Sequence, residues 1–178
     1  MTRQRVLCTL AVCAACVLVP AAAASAACSG SDSAPSAATL SQAKSATLCL
    51  INQARTRRGL SSLDNASSLA RAAAAHSRDM VSRDFFSHTS PAGSTMQQRI
   101  DRAGYMDGAS RWSVGETIAW GAGSQATPGS IVRSWLKSPP HRAILLQARF
   151  DDVGIGIALG APEGGDGATF TGDFGARG

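Results

Sequence analysis

The order of the hydrophobic periods is the strongest constraint in this chain: helical spacing fills the first half and strand-like alternation the second. From Ser45 onward Leu48, Ile51 and Ala54 recur at helical intervals, followed by Arg55 to Arg58 and a stop at Gly59. This predicts a helix with Leu48 and Ile51 inward and the arginines outward. Asn65 stands where it would cap a second helix over 66–83, with Leu69, Ala73, His76 and Met80 on one stripe. A short helix over 95–103 ends at Gly104. The segment 112–120 (WSVGETIAW) alternates as a strand does, and Thr127-Pro128 opens another helix reaching Lys137. Pro139-Pro140 interrupts it and a helical turn resumes over 141–147. Residues 153–159 and 168–174 are two further strands joined by a glycine-rich hairpin over 160–167. With helices early, strands late and no βαβ alternation, the class is α+β and not a doubly wound sheet.

The N-terminus sets the second constraint. Arg3 and Arg5 precede an apolar run over 7–19, and Ala24-Ser25-Ala26 is a small-x-small cleavage site. That is the pattern of a secretory signal peptide over residues 1–26, and the run is short of the roughly 20 residues that span a bilayer. Attachment through an acylated Cys28 is the alternative, weakened because Ser25 stands where a lipobox has Leu. Cleavage removes Cys8, Cys13 and Cys16 and leaves Cys28 and Cys49, an even number for an oxidising compartment, so the two are expected to pair. The Ser/Ala-rich stretch 27–44 is a flexible lead-in, and 45–178 is the folded domain. Of 17 Lys and Arg against 12 Asp and Glu, the leader takes two basic residues with it. No run of positive charge remains to neutralise a row of phosphates, so nucleic acid is not an expected partner.

Few residue types able to do chemistry remain. His88 follows two phenylalanines and precedes a Ser-Pro turn; its alternatives are a loop histidine packed on Phe85 or Phe86, or a functional one. Glu116 lies inside an apolar strand, where a carboxylate is costly without a dedicated partner, structural or catalytic. His141 falls near a helix N-terminus, where positive potential favours the neutral imidazole that binds metal or acts as a base. Two histidines and a glutamate match the ligand set of a catalytic zinc site, although their spacing carries no local signature. His76, on the inward stripe of the second helix, fits a satisfied core histidine better than a ligand. Trp112, Trp120 and Trp135 fit core or rim packing. No GxSxG elbow supports a serine nucleophile.

The ordered motifs LINQARTRRGLSSL, AHSRDM, FFSHTSPAG, RIDRAGY, VGETIAWG, WLKSPPHRAILL, FDDVGIGIAL and ATFTGDFG, from about Thr47 to Gly175, resemble the bacterial branch of the CAP superfamily. These are the SCP-like domains related to cysteine-rich secretory proteins, antigen 5 and plant pathogenesis-related 1 proteins. The resemblance implies a three-layer α–β–α sandwich with a surface cleft lined by His88, Glu116 and His141, where His88 and His141 would hold a divalent metal such as zinc. Thr117, Pro140, Ile144 and Gly172 depart from the family pattern, and a second cleft carboxylate has no evident match. The function that follows is a secreted, monomeric binding module for a lipid, sterol or cell-envelope component. The alternatives are a metal-dependent, peptidase-like hydrolase with Glu116 as the catalytic general base, and a purely structural extracellular protein.

Overall fold

The computed structural model describes Met1 and residues 28–178. Apart from Met1, the leader expected over 1–26 lies outside the described residues. Ten elements follow: α1 Leu40–Thr56, β1 Asp64–Asn65, α2 Ser67–Ser82, α3 Met96–Arg102, β2 Trp112–Gly121, a 3₁₀ turn Gly123–Ala126, α4 Pro128–Lys137, α5 Pro139–Leu145, β3 Asp152–Leu159 and β4 Ala168–Arg177. The sheet order is β1-β3-β4-β2, with β1 parallel to β3 and the remaining pairs antiparallel. The class is α+β, as the separation of helical and strand periods implied. Among the described residues no helix is long and apolar enough to cross a membrane.

Side-chain alternation along β3 and β4 builds the layers. Val153, Ile155, Ile157, Phe170 and Phe174 point to one face, where they join Ile51 of α1 and Ile131 and Trp135 of α4 in the main core. The alternate residues face α2 and are small. A Cβ on Gly154 would lie 2.0 Å from the Ala70 nitrogen, and one on Gly156 would lie 2.1 Å from the Ala73 carbonyl carbon. The two glycines let α2 settle directly on the sheet backbone, with its alanines inward. Helices therefore cover both faces in an α–β–α sandwich.

Local chemistry explains most element ends. Thr95 caps α3 through its hydroxyl, and the Gln98 side chain returns the bond to the Thr95 amide in a capping box. Thr127 caps α4, and prolines open both α4 and α5 at positions where a missing N–H costs nothing. Asn65 does not cap α2: Asp64 N and Ala66 N donate to the carbonyls of Asp151 and Val153, drawing this segment into the sheet. Residues 28–39 are also less free than their composition suggests. Cys28 is disulfide-bonded to Cys49, the Ser31 carbonyl accepts from Gly129 N at 2.8 Å, and α1 begins at Leu40, ahead of Ser45. A Cys28 sulfur bonded to Cys49 cannot at the same time carry a lipid.

Arg55 corrects the expected polarity of α1. Its side chain is fully buried and donates to the carbonyls of Ser61, Leu145, Gln147 and Phe150 at 2.8–3.1 Å. A buried guanidinium survives only with its donors satisfied, and here it gathers the carbonyls left open at the end of α5. Trp135 is buried and donates to the Ile118 carbonyl, whereas Trp112 and Trp120 lie on the rim.

Two stability outcomes follow from this architecture. Gly156→Ala forces a methyl into the α2 backbone and is expected to destabilise the fold by about 1–3 kcal/mol in chemical denaturation. Replacing both Cys28 and Cys49 by Ala opens a loop closed across 21 residues and is expected to lower the unfolding free energy by about 3 kcal/mol.

Candidate functional site

Glu116 sits in the middle of β2 on the face turned toward α2, and its side chain is 2% exposed. Its Oε2 accepts from Arg99 Nη2 at 2.6 Å, and its Oε1 accepts from His88 Nδ1 at 2.7 Å. The dedicated partner that a carboxylate in this strand requires is therefore a pair, one group on α3 and one in the loop between α2 and α3. Burial works against charge on Glu116, but the His88 hydrogen bond and the Arg99 charge outweigh it and hold the carboxyl below its ordinary range.

Arg99 does more than neutralise. Its Nη1 donates to the His88 carbonyl at 3.0 Å and to the Ser94 carbonyl at 2.8 Å. One guanidinium thus fixes the backbone that carries His88 and the carboxylate that orients its ring. The His88 side chain is 54% exposed. Donation from Nδ1 to the ionised Glu116 leaves Nε2 as the open nitrogen, the arrangement that prepares an imidazole as a ligand or a base. His141 lies in the first turn of α5, partly buried. Its pKa is lowered by burial and then by the charge of His88, which places the two imidazoles within electrostatic reach of each other.

Two neighbours complete the cluster. His76 is fully buried on α2; its Nε2 donates to the Ser87 carbonyl at 2.9 Å and lies 4.0 Å from Glu116 Oε1. Burial lowers its pKa against the pull of Glu116, so the ring is neutral. Asp173, the β4 residue directly across from Glu116, is fully buried. Burial, then the adjacent Glu116 charge and a side-chain hydrogen bond to Glu116, push its pKa well above the carboxylate range.

His88 and Glu116 are in direct contact and His141 approaches them. Arg99 and Asp173 are the members that the sequence did not single out. An aspartate at an alternating position inside the buried strand 168–174 was a usable signal for the second; Arg99, one arginine among many on a short helix, offered none. Both Glu116 oxygens are engaged by His88 and Arg99, and among the described residues no group of three or more His, Cys, Asp and Glu is placed to hold a metal ion.

The departures from the family motifs fall mostly away from this cluster. Thr117 and Gly172 are partners across β2 and β4 on the opposite face, and a Cβ on Gly172 would sit 3.1 Å from Thr117 Oγ1. Ile144 packs over Gly115 beside Phe150.

Two of the buried ionisable groups, His76 and Glu116, favour the fold at higher pH, while the raised pKa of Asp173 works in the opposite direction. The lowered pKa of His76 means that its contribution is complete above its ordinary pKa of 6.5 and is lost as pH falls through the lowered value, since the unfolded chain takes up the proton first. Glu116, also lowered, adds a loss of the same sign at more acid pH. Thermal melts at pH 5 and pH 7.5 isolate the His76 part: compared with the wild type, His76→Gln, which keeps a donor for Ser87 but cannot charge, is expected to raise the midpoint at pH 5 relative to that at pH 7.5, and an unchanged difference would locate the proton uptake elsewhere.

With the geometry in place, comparison with known proteins identifies the family. The model of the cysteine-rich secretory protein family, CAP, matches residues 48–174. Uncharacterized protein YkwD of Bacillus subtilis is 33% identical over 107 residues, 60% of this chain and 39% of its own length. Uncharacterized membrane protein YlbC of the same organism is 31% identical over 110 residues, 62% of this chain and 30% of its own length. The chain thus spans well under half of either relative. Among solved structures, an extracellular SCP-domain protein from Bacillus anthracis superposes with a TM-score of 0.60 at 28% identity, covering 76% of this chain and 43% of that one. An outer surface protein from Borrelia burgdorferi shares the fold, with a TM-score of 0.62 at 23% identity over 74% of this chain and 90% of that one. The domain formed by this chain belongs to the CAP, or cysteine-rich secretory protein, family.

Proposed function

We propose that the protein is an extracellular recognition module whose ligand meets the cleft at His88, Glu116 and His141. The observation that carries this is the engagement of Glu116. With its oxygens held by Arg99 and His88 and its pKa lowered, it is a poor general base. The hydrolase with Glu116 as base therefore lacks support from the site, whereas an oriented, exposed imidazole paired with a second one supports binding. His88 Nε2 and His141 would hold a divalent cation such as zinc, with its other positions left to water or to a ligand.

Export is supported by the leader pattern over 1–26, by the Cys28–Cys49 disulfide and by the similarity to an extracellular protein of Bacillus anthracis. A monomer recognising a lipid, sterol or envelope component fits this setting. Titration of the purified chain with zinc by calorimetry tests the site. The expected result is saturable binding of a single equivalent, abolished in His88→Ala and in His141→Ala while both variants melt as folded proteins. Absence of binding by the folded wild type would remove the cation from the reading. Turnover of a peptide or ester substrate that Glu116→Gln abolishes would replace the recognition module by the hydrolase.

A further inference from the structure

A second site is built on the other partners of Arg99. Between α2, α3 and the loop joining them runs a groove of about 680 Å³ whose charged lining is Arg71, Arg83, Arg99 and Arg102 against Asp79, with His76 on its wall. His88 and His141 do not line it. Two of the arginines are already neutralised: Arg83 pairs with Asp79 at 3.4 Å, and Arg99 with Glu116. Arg71 and Arg102 are exposed and have no ion-pair partner among the described residues. Arg71 Nη2 donates to the Ala103 carbonyl at 2.7 Å and Arg102 Nη2 to Ser94 Oγ, contacts that anchor both side chains beside the groove and leave the rest of each guanidinium open.

We propose that this groove binds a phosphate ester, its anionic oxygens held by Arg71 and Arg102. Arginine forks match phosphate oxygens in bidentate geometry, and two uncompensated ones flanking a groove favour an anion over a neutral sugar. The same chemistry is offered by a soluble ester and by a phospholipid headgroup. The site is separate from the His88–His141 cleft and stands whether or not that cleft holds a cation.

Heteronuclear NMR of the full purified chain, titrated with glycerol 3-phosphate and with inorganic phosphate at constant ionic strength, tests it, alongside flotation with phosphatidylglycerol or phosphatidylcholine vesicles. The expected result is saturable shifts with either anion, centred on Arg71 and Arg102. Arg71→Gln/Arg102→Gln should weaken binding by about tenfold or more, while Arg133→Gln, at an exposed arginine of α4 outside the groove, leaves it intact. Flotation with phosphatidylglycerol alone, lost in the double variant, would assign the headgroup as the source of the same phosphate chemistry. Shifts that do not saturate, that fall outside the groove, or that persist unchanged in the folded double variant would overturn the proposal, provided that vesicle binding through these arginines is also absent.

Discussion

The ion pair between Arg99 and Glu116 is the interaction on which the functional half of the molecule depends. A carboxylate inside a sheet is expensive to bury, and a guanidinium at 2.6 Å with two further carbonyl bonds makes it tolerable. Because those carbonyls belong to His88 and Ser94, neutralising Glu116 also closes the loop between α2 and α3 onto the sheet. Removing either partner would leave an unpaired buried charge and release the loop that carries the exposed histidine. The site is thus a product of charge compensation as much as of packing.

That arrangement is possible because the two faces of the sheet differ. The face toward α1 and α4 is filled with Val, Ile and Phe and supplies the hydrophobic driving force. The face toward α2 carries Gly154, Gly156, Thr171 and Asp173, and Ser77 of α2 reaches Thr171 Oγ1 at 2.8 Å. Small residues bring the helix close, and the close helix delivers His76 to within 4.0 Å of Glu116. The raised pKa of Asp173 beside the lowered one of Glu116 follows from the same crowding, since burial and the neighbouring carboxylate both disfavour a second negative charge there.

Arg99 also links two regions of the surface. Its Nη1 donates to the carbonyl of His88, and the residue also lines the arginine-rich groove between α2 and α3. On the proposed assignments the two sites would take ligands of opposite charge, and they can share one structural residue because Glu116 cancels the charge of Arg99.

Much of the fold is legible in the sequence. The alternation in WSVGETIAW and VGIGIAL and the Thr127-Pro128 opening of α4 are local signals, and the elements follow them, whereas Pro139-Pro140, read as an interruption, themselves open α5. The ordered motifs made the family recognisable, and the demand of Glu116 for a partner was readable from its place in an apolar strand. Other features were decided only in three dimensions. Asn65 was drawn into sheet pairing, Arg55 turned inward because the carbonyls at the end of α5 needed a donor, and Arg99 and Asp173 became site residues through contacts across 17 residues and across a strand register. Hydrophobic period and capping are properties of neighbouring residues, so the chain by itself determines them. Which buried charges meet depends on the closure of distant segments, and only the tertiary structure decides that.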